Sequence, residues 1–221
     1  MTVQEIVRRA RSCIDELMVN DSSFLLSSED EQNLTQVIID KIGYALQRVM
    51  ELAPQEKLDD GFVEELSQEE MAERFAITTD LVGMLKLPID LLRIVEARLS
   101  SWSYYPLPES ASEQTYLMQA DEWARGSWDR PVNILTWDGK DRILEMYCAK
   151  SASDTLLFSF VKKPDVSGIS ASDLSVDVAI PTQLEASLIY QVSGLAMLAF
   201  REDVAASLLA VSEKYLDIET K

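Results

Sequence analysis

The amino-acid sequence predicts an α+β fold with an N-terminal helix pair, a central antiparallel β-sheet and a C-terminal αα-hairpin. Apolar residues recur every three or four positions near both ends of the chain and alternate at every second position in the middle. An Asp-Gly turn joins two of the alternating runs. We expect one structural unit, with helices over 1–54, the sheet over 55–180 and the hairpin over 181–221.

The two N-terminal helices are predicted from their ends. Thr2 and Glu5 form a T-x-x-E capping box ahead of a helix over about residues 3–18. A second helix begins near Ser28 with acidic residues in its first turn, which suit the positive end of the helix dipole. Pro54 ends it. Each helix has one apolar stripe, so we expect an antiparallel pair packed on the rest of the protein.

The polar loop between these helices contains an apolar interruption that includes Phe24 and Leu25. These side chains either pin the loop to the body of the protein or contact a neighbouring chain. The acidic segment that follows the second helix contains three adjacent acidic pairs, and nothing apolar brackets them closely. We therefore interpret that segment as a solvated surface rather than as acid–base machinery.

The segment from Leu92 to Trp102 fits two periods. Val95, Ala97 and Leu99 lie on one face of a strand, with polar residues between them. The same segment also fits a helix of period 3.6. We prefer the strand.

An aromatic stretch follows this strand and leads into a short predicted helix over 113–124. Gly126 is the expected C-cap. The stretch contains three aromatic residues before two prolines, and the helix is expected to carry four apolar residues inward. The three aromatic residues are Trp102, Tyr104 and Tyr105, and the four inward residues are Tyr116, Leu117, Ala120 and Trp123. With Arg125 and Arg130 beside them, these aromatics either stack on a ligand or form the edge of the core.

The strongest strand signal is a hairpin over 130–149. Asp138 and Gly139 form a dipeptide typical of two-residue hairpin turns. A third strand over 155–161 follows a Ser-Ala-Ser-Asp turn, so we expect a sheet of about four to six strands.

The C-terminal hairpin has more apolar residues than one intramolecular face requires. Ile189, Leu198 and Leu209 lie off the main stripes of its two helices. This pattern indicates packing on the N-terminal helices or contacts between subunits.

Composition excludes several classes of function. The net charge of −18 argues against a surface that grips DNA or RNA, and against docking on anionic lipid. No apolar run reaches the roughly 18 residues of a membrane span. The N-terminus has no signal-peptide pattern, so we expect a soluble protein made in the cytoplasm. The two cysteines, Cys13 and Cys148, are expected to be buried thiols.

The sequence contains no recognisable catalytic arrangement. It has no histidine, which removes the commonest general base and the commonest metal ligand. Two distant cysteines cannot build a structural zinc site, and no phosphate-binding loop or nucleophile elbow is present. We therefore expect no enzyme activity, no catalytic residues, no metal and no cofactor.

Three segments resemble the connector proteins of tailed bacteriophages, in particular the ring proteins between portal and tail in crAss-like phages. They are LKLPIDLLRIVEARLSSW, QADEWARGSWDRPVNIL and the C-terminal hairpin. The first segment has a Leu-Pro turn that leads into a D-L-L-R strand ending in tryptophan, at Leu87, Pro88, Asp90, Leu91, Leu92, Arg93 and Trp102. The second has a Q-x-x-x-x-x-R-G-x-x-x-R-P run, at Gln119, Arg125, Gly126, Arg130 and Pro131. The third has a tyrosine before small residues, at Tyr190.

The resemblance implies a structural virion protein at the portal–tail junction. It implies a homo-oligomeric ring, commonly twelvefold, that contacts the portal and neighbouring tail or ring proteins. Genomic DNA would pass nearby without specific binding, and acidic walls suit such a conduit because they repel phosphates. We predict eleven interface residues: Phe24, Leu25, Trp102, Tyr104, Tyr105, Trp123, Arg125, Arg130, Ile189, Leu198 and Leu209.

Other classes of function stay open. A small-molecule or protein-binding module, or a metal-carboxylate enzyme, would use the region of Trp102, Tyr105 and Trp123. An acidic chaperone or a DNA mimic is a third class. The oligomeric state of the purified protein separates these classes from a connector.

Overall fold

The computed structural model describes residues 1–18 and 28–217. These residues form six α-helices and eight β-strands, which confirms the predicted α+β class. The helices are α1 (Val3–Met18), α2 (Ser28–Leu52), α3 (Gln68–Arg74), α4 (Glu113–Ala120), α5 (Glu185–Met197) and α6 (Glu202–Tyr215). The strands are β1 (Val63–Glu65), β2 (Phe75–Ile77), β3 (Gly83–Lys86), β4 (Leu91–Leu99), β5 (Glu109–Ser110), β6 (Val132–Asp138), β7 (Asp141–Tyr147) and β8 (Leu156–Lys162).

The chain divides into two compact units. The helical unit contains residues 1–62 and 163–221, and the sheet unit contains residues 63–162. The boundaries therefore lie at 62/63 and 162/163, whereas the alternating apolar pattern predicted a sheet over 55–180. The N-terminal helix pair and the C-terminal hairpin belong to the same unit, although they lie at opposite ends of the chain.

In the helical unit, α5 packs against α1, α2 and α6. Its position between three helices explains why it is apolar on more than one face. Ile189 is only 2% exposed, so its prediction as an interface residue is wrong. Leu209 of α6 packs against Gly194 of α5, where the two helices approach closely. Leu198, just after α5, is 51% exposed.

The loop between β8 and α5 runs back along the start of the chain. The Val3 amide donates to the Val176 carbonyl at 2.9 Å, and the Val178 amide donates to the Met1 carbonyl at 2.8 Å. Val166 in the same loop contacts α2 near Gly43. These contacts place the 164–169 part of the loop beside α2.

The sheet unit contains two sheets instead of the single sheet that was predicted. The five-stranded sheet has the order β2-β3-β7-β6-β5, and the three-stranded sheet has the order β1-β8-β4. All strand pairs are antiparallel except β5 with β6. The segment from Leu91 to Leu99 forms β4, which confirms the preferred strand. Its pairing with β8, which contains two register shifts, satisfies the backbone groups on one side of this edge strand.

The predicted hairpin is confirmed as β6–β7. Asp138 pairs with Asp141, so Gly139 and Lys140 are the two turn residues. Gly139 has a φ of +60°, which glycine adopts without steric cost. Both sheets contribute to one hydrophobic core, which includes Leu85, Leu144 and Phe158.

Candidate protein-interaction surface

Helix α4 is short because polar side chains define both of its ends. Ser112 is the N-cap, and its hydroxyl accepts a hydrogen bond from the Thr115 amide at 3.1 Å. At the other end Asp121 has extended backbone angles, and its carboxylate accepts from the Trp123 amide at 2.8 Å. This local side-chain hydrogen bond competes with helix continuation. The helix therefore ends at Ala120, four residues before the predicted end.

The apolar side chains of this helix face outward, which contradicts the prediction that they point inward. Leu117 is 63% exposed, Trp123 is 85% exposed, and Tyr116 and Met118 are also exposed. The side chain that is buried is Thr115. We call Tyr116, Leu117, Met118 and Trp123 the α4 surface. Large apolar side chains that are left exposed in this way are typical of a binding site, because a folded chain usually turns such residues toward its own core.

The segment after α4 connects the α4 surface to the five-stranded sheet. The Gln119 side-chain oxygen accepts a hydrogen bond from the Gly126 amide at 2.8 Å. A Cβ atom at Gly126 would lie 3.0 Å from the Tyr147 Cβ atom and 3.1 Å from the Tyr147 carbonyl oxygen, at the end of β7. Gly126 is thus required for this close approach, and it is not the C-cap that was predicted. The segment after the helix is held against the five-stranded sheet.

A second exposed tryptophan follows this segment. The amides and carbonyls of Ser127 and Arg130 exchange two hydrogen bonds of 3.0 Å, which form a tight turn with Trp128 at its tip. The Lys150 ammonium lies 4.9 Å from the centre of the Trp128 ring. This distance is suitable for a cation–π interaction, which orients the ring.

The predicted site that combined Trp102, Tyr105 and Trp123 does not exist as one surface. Trp102 is 2% exposed, and its indole N–H donates to the Cys148 carbonyl at 3.0 Å. It is a core residue, so its prediction as an interface residue is wrong. Tyr105 is partly buried against the same core, and this burial raises its pKa to about 12. Tyr104 is half-exposed and stays available for contacts.

The two predicted arginines lie on the surface of the sheet unit. Arg125 and Arg130 are both exposed. The Arg125 guanidinium forms no ion pair with an acidic residue in the part of the chain that the structure describes. The remaining two predicted interface residues, Phe24 and Leu25, lie outside the described residues.

A groove in the helical unit was not anticipated from the sequence. It has a volume of about 530 Å³ and is lined by residues of α2 and of the loop before α5: Ile39, Asp40, Gly43, Tyr44, Gln47, Pro164, Val166 and Ile169. We call it the α2 groove. Tyr44 is 73% exposed although it is aromatic. The available sequence signal was the position of this aromatic residue outside the otherwise regular apolar stripe of α2. Asp40 accepts a hydrogen bond from the Gln36 side-chain amide at 2.8 Å.

A smaller cleft of about 350 Å³ lies in the sheet unit beside Gly126. Arg125 and Tyr147 line it, and the Tyr147 hydroxyl donates to the Glu145 carboxylate at 3.1 Å. Burial and the neighbouring Glu145 carboxylate raise the pKa of Tyr147, so this phenol stays protonated at neutral pH. The cleft offers a guanidinium and a neutral phenol, but the sequence has no histidine to act as a general base.

The described residues contain no group of three or more histidine, cysteine, aspartate or glutamate side chains arranged to hold a metal ion. Among the helices of residues 1–18 and 28–217, none combines the length and the apolar character that a bilayer crossing requires. No protein-family model matches the chain, and no curated protein matches it.

Proposed function

We propose that the protein is a structural subunit of a head-to-tail connector ring in a tailed bacteriophage. The observation that carries the proposal is the α4 surface, where Leu117 and Trp123 are 63% and 85% exposed on a firmly attached segment. Large apolar side chains of this kind form the centres of protein–protein interfaces, with tryptophan and tyrosine as the dominant anchors. An adaptor needs such a surface, because its work is to contact neighbouring proteins.

Two further observations support the same function. The motif residues that resemble connector proteins include Gln119, Arg125 and Gly126, which attach or flank the α4 surface. The net charge of −18 suits a protein that lines a DNA conduit without retaining the DNA. In this function the protein forms a homo-oligomeric ring, commonly of twelve copies, and contacts the portal and the adjacent tail or ring proteins. Its location is then the portal–tail junction of the virion.

The decisive experiment locates the chain in virions and measures its docking. Mass spectrometry of purified virions should detect the protein, and negative-stain images of the chain with its portal and tail neighbours should show a ring. Trp123→Ser should weaken docking to those neighbours about 30-fold or more, as removal of an anchor tryptophan does at other interfaces. Trp137→Ser is the matched control, since Trp137 is 65% exposed in the same unit but lies on β6.

Absence of the chain from intact virions, combined with a monomer in every partner mixture, would contradict the connector function. A small-molecule-binding module that uses the cleft beside Arg125 would then be the stronger hypothesis. Equal effects of Trp123→Ser and Trp137→Ser would indicate that docking does not depend on the α4 surface.

A further inference from the structure

The α4 surface and the α2 groove form a donor and an acceptor on the same chain. The donor is the α4 surface, in which the Trp123 side chain is 85% exposed. The acceptor is a concave apolar site of about 530 Å³, a size within the range of about 300–1,000 Å³ that ligand pockets occupy. Residues 1–18 and 28–217 leave both sites uncovered, because Trp123 is 85% and Tyr44 is 73% exposed. An apolar residue that the chain leaves uncovered can be buried by a second copy of it.

Both sites carry charges that can meet their opposites on a second copy. Arg125 lies near Trp123 together with Asp121 and Glu122, and Asp40 lies near Tyr44 together with Lys41, whose ammonium is 6.0 Å from the centre of the Tyr44 ring. Arg125 lies two residues after Trp123 and has no acidic partner within the described residues. Asp40 lines the α2 groove, where its only hydrogen bond in the described residues comes from the neutral Gln36 side chain. Two copies that each carry a net charge of −18 repel each other, so a specific contact needs a local attraction at its rim. A guanidinium opposite a carboxylate provides that attraction.

We propose that the α4 surface of one copy inserts into the α2 groove of the next copy, with Trp123 as the anchor and Arg125 opposite Asp40. The proposal rests on the proposed ring function and specifies its lateral contact. The two surfaces are different, so a pair of copies in contact keeps one unused donor on one copy and one unused acceptor on the other. Such a heterologous contact continues from copy to copy and ends only when a ring closes.

Mixing of two blocked variants tests this directly. Trp123→Ser removes the donor anchor and Tyr44→Glu places a charge in the acceptor groove; both positions are exposed, so folding should be unaffected. By analytical ultracentrifugation at raised salt, the wild type should associate beyond a dimer, and each variant alone should bind itself about 30-fold more weakly. The mixture should form a heterodimer that grows no further, because it retains one intact donor and one intact acceptor.

A charge exchange tests the rim of the contact. Arg125→Glu and Asp40→Arg should each weaken association about tenfold, and the chain with both substitutions should regain most of the loss. Trp137→Ser should associate like the wild type. Circular dichroism of every variant verifies that the secondary structure is retained.

Several outcomes would overturn the proposal. One is a wild-type chain that stays monomeric at the highest soluble concentration. Others are blocked variants that associate as the wild type does, a mixture that behaves as its separate components, or a charge exchange without recovery. If the blocked variants still assemble into rings inside virions, the lateral contact is wrong while the connector function stands. If the chain is absent from virions but the heterodimer forms, the connector function is wrong while the contact between copies stands.

Discussion

Gly194, three residues before the end of α5, is a helical position where the structure predicts a different effect of alanine than helix propensity does. A Cβ atom built there would lie 2.7 Å from Leu209 Cγ, 2.8 Å from Leu209 Cδ2 and 3.2 Å from the Ala205 carbonyl oxygen. Favourable carbon–carbon contacts lie at about 3.5–4.0 Å. Gly194→Ala therefore forces α5 and α6 apart or moves Leu209 from its position.

The expected size of the effect follows from two opposing contributions. Overpacking of a buried contact costs about 1–3 kcal/mol. Alanine in place of glycine within a helix recovers about 1 kcal/mol. The net expectation is a loss of about 1 kcal/mol in the free energy of unfolding, where propensity alone would predict a gain of the same size.

Gly43→Ala is the matched control. Gly43 also lies inside a helix, and its added Cβ atom would lie 3.5 Å from the Val166 Cβ and Cγ1 atoms, an ordinary van der Waals distance. This variant should gain about 0.5–1 kcal/mol. The two substitutions are chemically identical, so a difference of about 2 kcal/mol between them measures the close approach of α5 and α6.

Urea unfolding followed by far-UV circular dichroism measures both variants, with the m-values compared to detect changes in cooperativity. Leu209→Ala removes the clash, so Gly194→Ala should become neutral or stabilising in that background. If Gly194→Ala stabilised the protein as much as Gly43→Ala does, the close approach of α5 and α6 would be contradicted. An effect of Gly194→Ala that stays unchanged in the Leu209→Ala background would contradict it as well.

Three further predictions concern the sheet unit. Trp102→Phe should lower the free energy of unfolding by about 2–4 kcal/mol, because it removes buried volume and leaves the Cys148 carbonyl without its donor. Trp123→Phe should be nearly neutral, and thermal unfolding of the two variants measures the difference. Tyr105→Ser should lower the free energy of unfolding by about 1–3 kcal/mol, because Tyr105 packs against the core. Tyr104→Ser should lower it by less than about 0.5 kcal/mol, since Tyr104 is half-exposed. Urea unfolding measures both variants, and equal losses would contradict this packing. Burial acts to raise the pKa of Asp154, but hydrogen bonds from the Ser101 hydroxyl at 2.6 Å and the Lys150 amide at 2.7 Å hold it below its usual range. The carboxylate's contribution is thus complete above an unfolded-state pKa of about 3.9 and is lost as the pH falls through the lower folded-state pKa. Asp154→Asn should destabilise the protein by about 1 kcal/mol at pH 7 and by less below about pH 4, and a difference independent of pH would contradict the assignment.

The orientation of α4 shows why surface and core were confused in the sequence analysis. Tyr116, Leu117 and Trp123 have the composition of a core-facing stripe, and a sequence pattern does not contain the identity of the partner. The same limit applies to Trp102, which becomes a core residue because the Cys148 carbonyl, 46 positions later, accepts its indole proton. Burial of either tryptophan depends on residues that are distant in sequence. The α2 groove was missed for a related reason, since residues 164–169 reach α2 only in the folded unit.

Local interactions determined what the sequence alone could predict. Thr2 caps α1, the apolar residues of α1 and α2 repeat every three or four positions, and Gly139 lies in a two-residue turn. Each of these features involves residues within a few positions of one another. The hairpin of α5 and α6 was predicted from the apolar period of each helix and the short link between them. Long-range contacts decided three features that the sequence did not predict. The pairing of Val63 with Val161 helps to divide the strands into two sheets, and both ends of the chain join in one helical unit. The side chains of the α4 surface face outward. Each of these depends on surface buried between segments far apart in the chain, and periodicity cannot specify which segments meet.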